Sequence, residues 1–255
     1  MISEFGRYYP EVLEPAAKTS KIDIRRNLYG KPLNSFTDIH ETLSSLQKFE
    51  DIANKGDYLS DLFLDCAKEG VVLPDGKFFI RSYHLEIDHQ AETDKKDPGI
   101  SYFRMDGDYA FSLGFKRKSD IVWLASTSFF LNPDLKGSLT IVQLQGRSYT
   151  DKREAEYSKK KKEAIAILEK FRWEFFLLFI CADWARTIRL PIVYLQTAEQ
   201  NEYARRSKSL KDDDKTLKMA KAKQRYNGTA RGLRLKIDPK TGMYVIPLEC
   251  PERVY

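Results

Sequence analysis

Apolar residues recur every three to four positions from Ile39 through Leu43, Leu46 and Phe49 to Ile52. That period predicts one face of a helix running to Ala53, with Asn34-Ser35 placed to cap it and Gly56 to break it. A second amphipathic helix is expected through Tyr58, Leu59, Leu62, Phe63 and Cys66, ending by Gly70. The pattern then shifts toward alternation. After the turn signal Pro74-Asp75-Gly76, residues 77–87 read as a strand, and 90–99 are polar and loop-like. Further strands are expected at 101–104, 109–115, 121–130 and 138–145. The separators are Asp106-Gly107, the charged run 116–120 and Asn132-Pro133-Asp134. Residues 154–188 read as mostly helical, in up to two pieces. Residues 190–196 form a β-branched run fit for a buried strand, with Pro191 near its start. Helix is expected again over 199–231 with a break at 210–215, and 234–238 with 243–248 read as a hairpin.

The order is two helices, several antiparallel-looking strands, then strand–helix–strand–helix–strand–strand. This is an α+β arrangement, with a mixed, mostly antiparallel central sheet flanked by helices. The strand–helix–strand unit between 139 and 196 should be a parallel crossover. Such units take ligands at the carboxyl ends of their strands. With 255 residues, one α/β domain is expected. Residues 1–70 are an irregular segment plus two helices within it, and 71–255 form its α/β body.

Charge changes the picture by its distribution. The net charge is +6, yet residues 147–255 alone carry 25 basic against 15 acidic side chains. A basic half favours an anionic partner. The segment 203–236 is its densest part, with twelve Lys or Arg against three Asp, and Tyr203 and Tyr226 nearby. Such a surface suits a phosphate-rich cofactor, a nucleic-acid backbone or an acidic protein, and equally a solvated helix face. The run Lys159-Lys160-Lys161-Lys162 has the same two readings.

Three cysteines, Cys66, Cys181 and Cys250, fit neither a metal motif nor a disulfide framework. The first residues lack a secretory pattern, and the longest apolar stretch, 175–182, falls far short of the roughly 20 residues of a membrane span. A cytoplasmic protein without a membrane partner is expected. His84, Glu86 and Asp88 would share one strand face while His89 points away. An exposed polar face explains them better than a metal, and no metal cofactor is expected. Trp173, Phe175, Phe176, Phe179 and Trp184 are core candidates. No Gly-Lys-Ser/Thr phosphate loop, Gly-x-Ser-x-Gly elbow or HExxH motif is present.

Over roughly 121–248 the order and texture resemble the GNAT superfamily of N-acyltransferases. Ser138–Gly146, SLTIVQLQG, is similar to that fold's central fourth strand and the start of its cofactor loop. WEFFLLFICADWART, 173–187, resembles the helix after the loop. Residues 190–196 resemble its fifth strand, and Asn201 the Asn that often follows. Tyr226-Asn227-Gly228-Thr229-Ala230-Arg231-Gly232-Leu233 resembles the end of its fourth helix, and the hairpin 234–248 its last two strands.

The resemblance implies transfer of an acyl group from acetyl-CoA or another acyl-CoA to an amine acceptor. Gln143, Leu144, Gln145, Gly146 and Arg147 would line the cofactor. The pyrophosphate would sit on the N–H groups of the following helix. Asn201 and Tyr226 would face the reacting end, with Tyr226 as general acid and Glu86 as the carboxylate base. The chain departs from the family where Ser148 stands in the position of the cofactor loop's second Gly or Ala and the loop runs long and basic. Those departures carry the second expectation: a catalytically inactive GNAT-like protein that binds nucleic acid or a protein partner through its basic half.

Overall fold

Helix α1, Phe36–Ala53, buries Leu46, Phe49 and Ala53 on its inner face. After the left-handed turn at Gly56, α2, Tyr58–Cys66, buries Tyr58, Leu59, Leu62, Phe63 and Cys66. Both follow the apolar period of the sequence. The structure, a computed structural model, describes residues 36–84, 107–118, 120–132, 137–146, 155–201 and 212–248. The expected cap at 34–35, the strand 101–104, the end of the strand 77–87 and the basic loop after Gly146 lie outside those residues.

Among the described residues seven strands form one sheet: β1 Lys77–His84, β2 Tyr109–Arg117, β3 Asp120–Asn132, β4 Ser138–Gly146, β5 Val193–Leu195, β6 Lys236–Ile237 and β7 Tyr244–Ile246. Their order is β1-β2-β3-β4-β5-β7-β6. Strands β1 and β2, β2 and β3, β5 and β7, and β6 and β7 pair antiparallel, while β4 and β5 run parallel as the crossover requires. The remaining described helices are α3 Ala155–Leu168, α4 Trp173–Thr187 and α5 Asp212–Gly232. The fold is mixed α/β with a mostly antiparallel sheet. No helix among the described residues is long and apolar enough to cross a membrane.

The chain divides into two compact units. The second, residues 39–129 and 143–177, centres on phenylalanine. Phe63 stacks on Phe78 with ring centroids 4.9 Å apart, and Phe78 also meets Phe115 and Phe171. Phe49 reaches Phe111 at 5.8 Å. Strands β2 and β3 are buried on both faces over most of their length. A bulge at Leu113/Gly114 re-registers them. Gly114 lies under the Phe79 ring, where any Cβ would meet it at 2.2 Å. The end of α2 is stitched to the start of α4: Arg172 N–H donates to the Cys66 carbonyl at 2.8 Å, and Lys68 N–H to the Lys170 carbonyl at 3.0 Å.

The first unit, residues 1–38, 130–142 and 178–255, has its core in Leu139, Ile141, Leu178, Cys181, Trp184, Val193, Leu195, Ala230 and Ile246. Of the aromatic core candidates, Phe176 and Trp184 are fully buried, while Trp173, Phe175 and Phe179 are half-buried. Strand β5 is shorter than the apolar run suggests, because Leu190 spends its N–H on Ala185 O closing α4, and Pro191 has none to give. The helix expected from Glu199 does not start there. Residues 198–200 form a turn instead, with Thr197 N–H donating to Gln200 Oε1 at 3.1 Å.

Candidate functional site

The parallel ladder of β4 and β5 pairs Leu139 with Val193, Thr140 with Tyr194 and Ile141 with Leu195. Gln196 N–H donates to Ile141 O at 3.1 Å. Beyond that bond the partners of β4 within the first unit change from backbone to side chain. The Val142 carbonyl accepts Asn201 Nδ2 at 3.0 Å and the Tyr226 hydroxyl at 3.3 Å. Asn201 Nδ2 also donates to Tyr226 Oη at 3.0 Å. In a regular strand consecutive carbonyls point to opposite edges. Here two in succession, Ile141 and Val142, are both taken by residues that follow β5 in the chain.

Asn201 and Tyr226 are each 4% exposed, so the triangle is dry, and its bonds are stronger than they would be in water. Tyr226 lies on the buried stripe of α5 with Thr229 and Ala230, spaced three and four residues away. Asn201 is placed by the turn before it. Ala198 N–H donates to Asn227 Oδ1 at 3.2 Å, and Gln200 Nε2 donates to the Thr241 carbonyl at 2.9 Å. The turn is thus tied to α5 on one side and to the β6–β7 connection on the other.

Gln196 adds an unused acceptor. Its Oε1 is buried without a hydrogen-bond donor among the described residues, beside the last β4–β5 backbone bond. A buried carbonyl left unpaired costs about 1–3 kcal/mol. Such an atom points to a ligand or an ordered water that supplies the missing donor.

The charged groups around this turn are engaged. Glu199 is held below the ordinary carboxylate range, first by its own backbone N–H, then by Asn227 and Lys223. Asp238 is held low by the Lys240 N–H and by the hydroxyls of Tyr194 and Thr241. Burial, with Asp238 beside it, raises Tyr194.

The expected cofactor residues fall in the second unit, at the end of β4. Gln143 and Gln145 share a half-buried face. Ser128 Oγ donates to Gln143 Oε1 at 3.2 Å, and Gln143 Nε2 to Gln145 Oε1 at 3.1 Å. Leu144 points to the opposite face and is buried. Gly146 is covered by Trp173, whose ring would lie 3.1 Å from any Cβ there. The N-terminus of α4 carries Glu174 in its first turn and is bonded to the Cys66–Lys68 segment. The N–H of Arg172, just before α4, is thus taken by Cys66, Glu174 puts a negative charge in the first turn, and the helix that directly follows β4 is α3. Arg147 and Glu86 lie outside the described residues, as do Asp88 and His89. His84 packs edge-on against Tyr109 at 5.0 Å. No group able to hold a metal occurs among the described residues.

No protein-family model matches the chain, and no curated protein is significantly similar to it in sequence.

The structure thus brings Asn201 and Tyr226 together, 25 residues apart in the chain. Sequence reasoning missed Val142, Gln196, Gln200 and Asn227. Asn227 was legible only as the neighbour of Tyr226. Gln196 gave no signal beyond being polar at the end of a buried strand.

Proposed function

We propose that the protein is a GNAT-like N-acyltransferase that moves an acyl group from acyl-CoA to an amine. What supports the reading is the buried triangle of Asn201, Tyr226 and the Val142 carbonyl at the end of the β4–β5 ladder. The residues assigned by the resemblance to the reacting end share that place. The orphan acceptor Gln196 Oε1 fits an amide N–H of an incoming ligand.

Acyl-CoA would supply an activated thioester. Tyr226 would hand its hydroxyl proton to the departing sulfur. Asn201 Nδ2, already donating to Tyr226 Oη, would steady the oxygen left behind. Glu86 is proposed as the base that takes the amine proton. Gln143, Gln145 and Arg147 are proposed along the cofactor.

One observation favours a second reading, a catalytically inactive scaffold acting through a macromolecular partner. Trp173 packs over Gly146, the residue at which the resembling fold would begin its cofactor loop.

Thermal unfolding with acetyl-CoA, free CoA and ATP separates the two. A ligand that binds only the native state at 100 times its Kd adds about 2.7 kcal/mol. A rise in Tm with acetyl-CoA and CoA but not ATP is expected. An equal rise with all three would mean generic phosphate binding. No rise at millimolar ligand would reject the acyltransferase reading.

A further inference from the structure

Two arginines stand where the backbone favours glycine. At the end of α4, Leu190 N–H donates to Ala185 O at 2.9 Å and Arg189 N–H to Arg186 O at 3.1 Å, with Arg189 at φ 57°. At the end of α5, Leu235 N–H donates to Ala230 O at 2.9 Å and Arg234 N–H to Arg231 O at 3.0 Å, with Arg234 at φ 53°. Both are Schellman closures, whose left-handed residue is usually Gly. A side chain there is disfavoured, because its Cβ crowds the following carbonyl oxygen. The helix dipole is an ordinary reason for a cation near a C-terminus. Arg186 and Arg231 already meet it in the last turns of α4 and α5. The dipole therefore leaves the strained arginines unexplained.

Topology brings the two together within the first unit. Strands β5 and β6 are both antiparallel to β7 and lie on either side of it, with Tyr194 and Lys236 both opposite Val245. They are therefore parallel to each other, about 9–10 Å apart. Each is entered directly from one of the two caps. Arg189 and Arg234 thus both lie ahead of the amino ends of β5 and β6, with Lys236 the first residue of β6, away from the end where Gln196 and Asn201 lie. All three are exposed, as is Arg231. Arg186 is engaged by Asp183 and by the Leu248 carbonyl.

We propose that this end of the sheet is a docking surface for the phosphate backbone of a nucleic acid. Guanidinium forks match phosphate oxygens two at a time. Phosphates follow one another every few ångströms along a strand, so one strand can engage both caps. Protein partners are held by a buried apolar centre within a polar rim. In the segments that follow these caps the exposed apolar side chains are Ile237 and two prolines, Pro191 and Pro239, too little for such a centre, which fits a charge-driven partner better. This surface does not depend on acyl transfer.

The test uses the full chain and a fluorescein-labelled single-stranded RNA of about 20 nucleotides. Binding is expected at about 50 mM salt, weakening steeply by about 200 mM. The double variant R189G/R234G should bind at least about tenfold more weakly, yet melt at the same temperature or higher, because glycine relieves the left-handed backbone. The pair K221Q/K223Q, farther along α5, should bind within about twofold of the parent. No binding by the parent would overturn the proposal. So would parental affinity in R189G/R234G, or a lower melting temperature for it. Displacement of the RNA by polyglutamate at equal charge would mark the surface as a site for acidic protein and equally overturn it.

Discussion

The side chain of Asn54, one residue past α1, acts as a strand partner for Ile80 on β1. Its Nδ2 donates to the Ile80 carbonyl at 2.9 Å, and its Oδ1 accepts the Ile80 N–H at 2.8 Å. Among the described strands β1 lies at the edge of the sheet, and exposed edges invite pairing with other chains. Asn54 satisfies that edge from within the same unit. Asn54→Ala should lower stability by about 1 kcal/mol in urea unfolding, since water can reach the exposed position and replace part of the loss. It should also raise the fraction of dimer seen by light scattering. An unchanged urea midpoint would show that the pair contributes nothing.

Glu50, one helical turn before Asn54, guards the next position. Its Oε2 accepts both Ser82 N–H and Ser82 Oγ at 2.7 Å. Burial nevertheless raises its carboxyl above the ordinary 4.5, outweighing the Ser82 bonds and the nearby Arg81. A raised carboxylate favours the protonated folded state. The unfolded chain then releases its proton first as pH rises, so this group's contribution is full below 4.5 and is lost as pH climbs through the raised folded value. Glu50→Gln should flatten that decline. Parallel stability–pH curves for the two proteins would refute the assignment.

Gln196→Leu separates a ligand site from a structural one. Removing a buried acceptor that lacks a donor should leave the free protein as stable or slightly more so. The acetyl-CoA shift in Tm should shrink. A clear loss of stability without ligand would mean that the amide has a structural role.

Tyr226→Phe keeps the ring in the core and leaves Asn201 bonded to Val142. If Tyr226 is the general acid, turnover should fall by about 10²-fold, while the acetyl-CoA shift in Tm persists. Once an acceptor is found, equal loss of both would place Tyr226 in binding instead.

Gly114 and Phe79 form a lock whose two halves should not add. Gly114→Ala forces its Cβ into the Phe79 ring, at a cost of about 1–3 kcal/mol. In the Phe79→Ala background most of that cost should vanish, by urea unfolding of the four proteins in a double-mutant cycle. Additive losses would mean that the backbone at the bulge, not the ring, sets the requirement.

The helices α1 and α2 and the strands β1–β4 were legible because apolar period and turn residues agreed along those stretches. The short strands β5–β7 were legible in place but not in length. Their ends are set by bonds such as Leu190 N–H to Ala185 O, made between residues no local pattern connects. At the site, the sequence suggested Asn201 and Tyr226 singly. It could not show that both converge on the Val142 carbonyl, because that depends on where β5 stops and which face α5 buries. The helix expected to begin at Glu199 failed for a related reason: Gln200 and Asn201 turn their side chains toward Thr241 and Val142, which only the tertiary fold supplies.

The pairing of Cys66–Lys68 with Lys170–Arg172 also has a consequence in time. The second unit joins the end of α2 to residues made about 100 positions later. At ribosomal speeds of about 5–20 residues per second, α2 waits roughly 5–20 s for that partner. Until then Leu59, Leu62 and Phe63 have no complete core to enter. Closing so long a loop slows folding more than it weakens the finished structure. The unit's interval of greatest exposure to aggregation therefore falls during synthesis, and ends when Arg172 has cleared the ribosome.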